Sequence, residues 1–390
     1  MRAGQWLTNR GIAAARTSWE RAKQVADRLP PGERDLLSLR IAPRTLLCAS
    51  AYRGGGRVDD TGFDELRGLC EQAGDKRSLA IAMAGLPVSM NLLNRIREAA
   101  VIATEQEELV ESIGDPPLLT VGLLHGVIST RLHAGEAVAA MRTAQRVIDE
   151  AAGDTTMGEL LIGSPPLAQA TMLRGVARCV LGRPPGWRED LNEAVTLASG
   201  SDPVTRVIVV SYPSGMLFLN GVFVADDEYF GAVHEAFSTA EQSGDDFTLG
   251  MAGFAYGAAS MARDDIDPAI GAQVLDEVLE LGVQVQNLFR GAIPPGIALA
   301  AYRARFGNLD AAIRMSRTVV DDTFDSGDMI LRGPRDVDTG RSAAAARRRR
   351  RCAPSTFGDR SACRGANRSW LRIVRPTTAA DARSNRPVRR

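Results

Sequence analysis

A regular spacing of apolar residues stands out near the middle of the chain, between residues 137 and 151. Apolar residues recur there at intervals of three and four, as on one stripe of a helix: Ala137, Ala140, Met141, Ala144, Val147, Ile148 and Ala151. Charged and amide residues fill the positions between them and would face water. The pattern predicts an amphipathic helix with one buried side.

The stretch just before this helix predicts a partner for it. Val121, Leu124, Ile128 and Leu132 share one helical face, and a short turn at 133–135 separates the two stretches. Two antiparallel helices of this kind cannot bury their apolar faces alone. We therefore expect similar helix pairs on both sides of this one, and the second helix of an earlier pair should span residues 63–73.

A recurring ending gives the period of these pairs. The second helix tends to end in Gly-Asp or Ser-Asp, where Gly allows a left-handed turn and Asp can cap the next helix. The Asp residues of these endings are Asp75, Asp115, Asp154, Asp202, Asp245 and Asp328. Their spacing predicts repeats of about 40 residues across positions 1–333.

Small residues at the turns are similar to those of tetratricopeptide repeats. The segment 307–313, GNLDAAI, resembles that family's turn and the Ala that lets helices approach, and 135–140 repeats it. Arg131 and Arg303 stand where a Tyr is usual in that family, so the units are tetratricopeptide-like. We predict an all-α fold, a right-handed α-solenoid of antiparallel helix hairpins.

Charge is distributed unevenly although the formal net charge is zero. Residues 335–390 contain 16 Arg and four Asp, so the rest of the chain is acidic. Among the 47 Lys and Arg residues only Lys23 and Lys76 are lysine, as expected of GC-rich coding DNA. We expect residues 334–390 to be a disordered, Arg-rich tail that is read out of frame; the alternative is a basic arm that binds nucleic acid.

The residues that usually carry catalysis or metals are scattered. The five cysteines form no CxxC pair, and Cys48, Cys70 and Cys179 lie in apolar helical stretches, which favours reduced thiols in the cytoplasm. His125, His133 and His234 have no metal-ligand spacing around them. Motifs of the types GxSxG, HExxH and GxxxxGK[ST] are absent, so we expect no cofactor, no metal and no enzymatic activity.

Binding is therefore the expected activity, and a solenoid would place it on its concave face. The first helices of the pairs line that face, which gives seven candidate groove residues: Arg44, Tyr52, His125, Arg131, Arg174, Tyr212 and Tyr256. The alternative is that these residues serve ordinary packing between helices. The uncharged stretch 207–225 approaches membrane-spanning length, but Pro213, Gly215, Asn220 and Gly221 should interrupt it, so we expect two buried helix ends and no membrane span.

Four stretches carry a resemblance to a known family: RIAPRTLLC, GDKRSLAIAMAG, GSPPLAQATMLRGVARCVLGRPPGWREDL and AEQSGDDFTLGMA. They resemble the C-terminal helical region of bacterial regulators that join a class III adenylate/guanylate cyclase domain, a STAND-type ATPase and tetratricopeptide-like repeats. LuxR-type transcriptional regulators are related to these proteins. The resemblance spans about residues 5–333.

The resemblance implies a non-catalytic sensor or interaction region. Its partner would be a protein or a small effector, including a cyclase or ATPase module, and nucleic acid would bind only through the basic tail. A free-standing scaffold protein and a truncated, non-functional remnant of such a regulator are the alternatives.

Overall fold

The computed structural model describes residues 12–53, 61–114, 117–162, 164–182, 184–201, 203–243, 246–284 and 293–331. All regular structure in these ranges is helical, which confirms the all-α fold class. The chain divides into one unit of residues 1–342 and another of residues 343–390. The predicted tail at 334–390 lies outside the described residues, as do the turn residues Asp115, Asp202 and Asp245.

The first half of the chain contains nine described helices. They are α1 (Ile12–Asp27), α2 (Leu36–Ala49), α3 (Phe63–Ala73), α4 (Lys76–Met83), α5 (Leu86–Leu92), α6 (Ile96–Ile113), α7 (Pro117–Leu123), α8 (His125–His133) and α9 (Ala137–Ala151). A 3₁₀ turn, Ala51–Arg53, follows α2.

The second half contains the remaining described helices. They are α10 (Glu159–Ile162), α11 (Pro166–Val180), α12 (Trp187–Ala198), α13 (Pro203–Leu219), α14 (Asp227–Ser243), α15 (Asp246–Ala262), α16 (Pro268–Gln284), α17 (Ile293–Phe306) and α18 (Leu309–Ser326).

Most of these helices form successive pairs in which each helix packs against the one that follows it. The seven pairs in the described ranges are α2 with α3, α4–α5 with α6, α7–α8 with α9, α11 with α12, α13 with α14, α15 with α16 and α17 with α18. The first helix of each pair also packs against the first helix of the next pair. We number these pairs 1 to 7. The first helices therefore lie side by side, and each contacts the second helix of its own pair and the first helices of the adjacent pairs.

Two predicted helices have the observed bounds, and two details of the prediction need correction. The helix at 137–151 and the helix at 63–73 occur as predicted. The expected break at Pro213 and Gly215 was wrong, because α13 continues through both residues. The interruption expected at Asn220 and Gly221 does occur, since α13 ends at Leu219 and Gly221 has a φ of 68°. Burial compensates for the backbone hydrogen bond that a proline removes: Pro213 is buried, and the missing Cβ of Gly215 leaves room for the Phe254 ring.

The partner helix predicted before residue 133 is divided into α7 and α8 at Leu124. That residue keeps a φ of −85° but has a ψ of 0°, so the helix bends there rather than ending. None of the helices described is long and apolar enough to cross a membrane.

The buried core consists mainly of aliphatic residues and alanine, with three thiols among them. Cys48, Cys70 and Cys179 are free and buried. Burial raises the pKa of Cys48 and of Cys70 to about 11, so both thiols stay protonated at neutral pH. They act as small apolar residues in the core.

Candidate functional site

Residues late in the chain contact residues of the early pairs. The guanidinium group of Arg97 in α6 donates hydrogen bonds to the carbonyl oxygens of Phe324 and Asp325, at 2.9 and 3.0 Å. The backbone N–H of Met329 donates to the carbonyl oxygen of His133 at 2.7 Å. These contacts join pair 7, and the segment after it, to pairs 2 and 3.

An aromatic contact joins two other distant parts of the chain. The rings of Tyr52, just after α2, and Phe247, in α15, lie edge to face with centroids 5.8 Å apart. Pair 1 therefore touches pair 6. Together with the contacts of Arg97 and Met329, this places the first helices of pairs 2 to 7, and the turn after α2, around one shared interior.

A cavity of about 160 Å³ lies in this interior. Every one of the seven pairs contributes to its lining, and so does the segment after α18. Most of the lining is apolar: Val88, Leu92, Met172, Leu173, Ile208, Met216, Phe247, Met251, Phe254, Pro294, Pro295 and Leu331. A mostly apolar cavity with a few polar groups is the usual form of a small-molecule site.

His125 is an ionisable lining residue with a strongly shifted pKa. Its side chain is buried, and burial lowers its pKa from 6.5 to about 4, so the imidazole is neutral at pH 7. The Nδ1 atom has no hydrogen-bond partner within the described part of the chain. A buried ring nitrogen without a partner lowers the stability of the fold unless something pairs with it.

Two further lining residues carry buried oxygen atoms that lack a partner in the described structure. Ser211 in α13 is 1% exposed, and its hydroxyl makes no hydrogen bond. The Asn91 amide nitrogen in α5 donates to Thr130 Oγ1 at 2.9 Å, while its Oδ1 atom accepts nothing. Three polar side chains from three different pairs are thus incompletely paired around one cavity.

Three further polar side chains of the lining, Tyr212, His133 and Asp328, form a hydrogen-bonded network. Tyr212 Oη lies 3.1 Å from His133 Nε2, and His133 Nδ1 lies 2.9 Å from Asp328 Oδ2. Burial raises the pKa of Tyr212 to about 12, so its phenol is neutral. A carboxylate only accepts, so His133 Nδ1 donates to Asp328, and Nε2 of a neutral ring then accepts from the phenol. Asp328 Oδ1 also accepts the N–H of Leu331 at 3.1 Å.

The Tyr212–His133–Asp328 network connects distant parts of the chain. The network joins α8, α13 and the segment after α18, and so holds the late part of the chain against the early part.

The structure separates the seven candidate groove residues into two groups. Tyr52, His125 and Tyr212 line the cavity together. Arg44, Arg131, Arg174 and Tyr256 lie outside it and serve packing between helices.

The three arginines outside the cavity form ion pairs with neighbouring helices. Arg44 pairs with Asp27 at 2.9 Å and with Glu65 at 2.6 Å. Arg131 pairs with Glu107 and also donates to Thr143 Oγ1. Each arginine thus links its own helix to two others.

Arg174 and Tyr256 complete the group that lies outside the cavity. Arg174 pairs with Asp190 at 2.7 Å and donates to Gln145 at 2.8 Å. Tyr256 stacks on Phe237 of α14 with ring centroids 4.9 Å apart. Each of these residues connects the first helix that carries it to the second helix of its own or an adjacent pair.

Sequence reasoning missed Asn91, Ser211 and Asp328 as lining residues. The available signal was a small polar residue within an apolar first helix, as at Ser211 among the valines of α13. No group of three or more metal-binding side chains occurs in the ranges that the structure describes. A comparison with family models and a comparison with curated proteins find no match to the chain.

Proposed function

We propose that this chain is a non-catalytic, ligand-binding helical-repeat region that senses a small effector in its central cavity. The seven helix pairs would form a right-handed, tetratricopeptide-like solenoid, with the first helices on the inner face. The observation that carries the proposal is that all seven pairs line one apolar cavity containing incompletely paired polar groups.

The size of the cavity favours a small molecule over a protein partner. A stable protein interface buries roughly 800 Å² on each side, which a cavity of about 160 Å³ cannot provide. The contacts of Arg97, Tyr52 and Met329 also hold early and late parts of the chain together around the interior. A scaffold that binds proteins would instead use the outer faces of the second helices.

A molecule in the cavity would contact several pairs at once and stabilise their mutual arrangement by mass action. That stabilisation is the property a sensor needs in order to report binding to a neighbouring module. We propose that this module is the ATPase or cyclase part of a signalling regulator, or a LuxR-type regulator, as the family resemblance implies. The three buried, unoxidised thiols support a cytoplasmic setting.

Thermal unfolding of the purified chain with defined single-ring compounds tests the proposal. The panel contains toluene, phenol, benzoate and benzylamine. We expect at least one compound to raise the Tm saturably. Ser211→Leu, which fills part of the cavity, should abolish the rise, whereas Ser112→Leu on the exposed side of α6 should keep it.

Two results would contradict the proposal. In one, no compound changes the Tm of the natural sequence. In the other, a compound raises the Tm equally in the Ser211→Leu variant, which would place binding outside the cavity.

A further inference from the structure

We infer that the ligand is a neutral, single-ring molecule that carries an N–H or O–H donor and is held by Asn91, His125 and Ser211. This inference rests on the proposed function and adds the chemical class of the effector. Three properties of the cavity support it: its charge, its size and its incompletely paired polar atoms.

The charge of the lining excludes an ionic ligand on energetic grounds. Within the described structure, no Lys or Arg lines the cavity, so an anion would enter without a counter-charge. Asp328 is the carboxylate of that lining, and it already accepts one hydrogen bond from the Leu331 N–H and interacts with His133. Burying an unpaired charge costs several kcal/mol, so a neutral ligand binds best.

The volume of the cavity and the residues that line it fit a ligand with a single ring. A cavity of about 160 Å³ is close to the roughly 150 Å³ cavity that accepts benzene in an engineered protein. Met172, Met216 and Met251 supply polarisable sulfur, and Phe254 supplies an aromatic ring. Methionine sulfur and aromatic rings make favourable contacts with each other and with other rings.

The incompletely paired atoms specify the polar part of the ligand. Asn91 Oδ1 can only accept, so it requires a donor on the ligand. Ser211 Oγ can donate or accept, and a neutral imidazole can do either at Nδ1 according to its tautomer. All three atoms are buried, and side-chain rotation, about χ1 for Ser211, would turn them toward a ligand.

Comparing the dissociation constants of four probes tests the inference. Phenol has the ring and the donor, toluene lacks the donor, and benzoate and benzylamine add a negative and a positive charge. We expect phenol to bind roughly ten-fold more tightly than toluene, because one recovered hydrogen bond contributes about this factor. The two charged probes should bind more weakly than phenol.

Two conservative variants identify the anchoring residues. Ser211→Ala and Asn91→Ala should each weaken phenol binding about five-fold or more while leaving toluene binding nearly unchanged. Ser112→Ala, on the exposed side of α6, is the matched control and should change neither. Circular dichroism spectra of all variants check that they are folded.

The remaining outcomes would contradict either the inference about the ligand or the proposed function. Equal binding of phenol and toluene would overturn the inference and leave the proposed function intact, as would tightest binding of benzoate or benzylamine. Retention of full phenol affinity in both cavity variants would also overturn it. Failure of all four probes to bind would contradict the proposed function itself.

Discussion

Individual polar residues inside this protein differ in how completely they are paired. Arg174 and Asp190 are both largely buried, and they form a 2.7 Å ion pair with further hydrogen bonds around it. His125, by contrast, keeps a buried Nδ1 atom without a partner among the described residues. The paired residues hold helices together, and the incompletely paired residue marks the cavity.

The depressed pKa of His125 makes a prediction about pH. Its folded-state pKa is about 4, whereas the unfolded chain has the ordinary value of 6.5, so only the unfolded state takes up a proton between these values. The free energy of unfolding should therefore fall by up to about 3 kcal/mol as the pH is lowered from 6.5 to 4. Urea denaturation at a series of pH values measures this loss.

Glutamine variants isolate the contribution of His125, since carboxylates also titrate at low pH. His125→Gln should be less sensitive to pH than the natural sequence in this range, because its side chain does not titrate. His234→Gln, at an exposed position in α14, should follow the natural sequence. Parallel curves for the natural sequence and His125→Gln would contradict the prediction.

At the residue scale, the sequence predicted only part of the candidate site. Tyr52, His125 and Tyr212 line the cavity, His125 and Tyr212 from first helices and Tyr52 from the turn that follows one. Arg131 and Arg174 belong to first helices as well, but their carboxylate partners, Glu107 and Asp190, draw them between helices. Which face a long side chain occupies depends on those neighbouring helices, and a single helical pattern does not contain that information.

Close approach of helices is the main feature at the scale of the elements. Gly257 in α15 and Gly271 in α16 face each other so closely that a Cβ on Gly271 would lie 2.4 Å from the Gly257 carbonyl oxygen. It would also lie 2.9 Å from the backbone nitrogen of Met261. Backbone atoms cannot move aside singly, so the two helices would have to separate.

Gly271→Ala should therefore destabilise the protein by about 1–3 kcal/mol, as overpacking does in other cores. The effect would run against helix propensity, which favours Ala over Gly by up to about 1 kcal/mol. Chemical denaturation followed by far-ultraviolet circular dichroism measures the change.

Gly231→Ala is the matched control for this prediction. Gly231 lies inside α14, and a Cβ there would meet nothing within 4 Å. We expect this variant to be as stable as the natural sequence or more stable. If Gly271→Ala behaved in the same way, the close packing of α15 and α16 would not be needed for stability.

Helices were easier to predict than their irregularities. Apolar periodicity located α3 and α9 with their observed bounds, because a strong amphipathic pattern ends where the capping residues begin. The pattern did not reveal that α13 runs through Pro213 or that the helix before His133 bends at Leu124. Both depend on packing against other helices, which compensates for a lost backbone hydrogen bond.

Contacts between the early and the late pairs are the decisive feature of the whole unit. Tyr52 and Phe247 come from pairs 1 and 6, yet their rings are in contact. Without such contacts, an array of helix pairs would be stabilised only by nearest neighbours and could unfold in parts. Because of these contacts, we expect a substitution in pair 1 to change the effect of a substitution in pair 6 on the free energy of unfolding.

A double-mutant cycle measures this coupling. Tyr52→Leu and Phe247→Leu should each lower the free energy of unfolding, and the double variant should lose about 0.5–1.5 kcal/mol less than the sum of the two losses. Urea denaturation of the four proteins provides the values.

Phe63→Leu serves as the control partner for Phe247→Leu, because the two residues belong to separate apolar clusters. Their effects should add within about 0.5 kcal/mol. A similarly additive result for Tyr52 and Phe247 would show that contact across the interior does not couple the pairs.

The division of the cavity wall among seven helix pairs has a consequence for the proposed function. The cavity is a collective feature, since every pair supplies part of the wall. Recognition of a ligand would be modular, since Asn91, His125 and Ser211 belong to different pairs. Exchanging one of these side chains would then change which molecule is preferred while the other pairs keep the cavity, so a protein built in this way could change its effector through single substitutions.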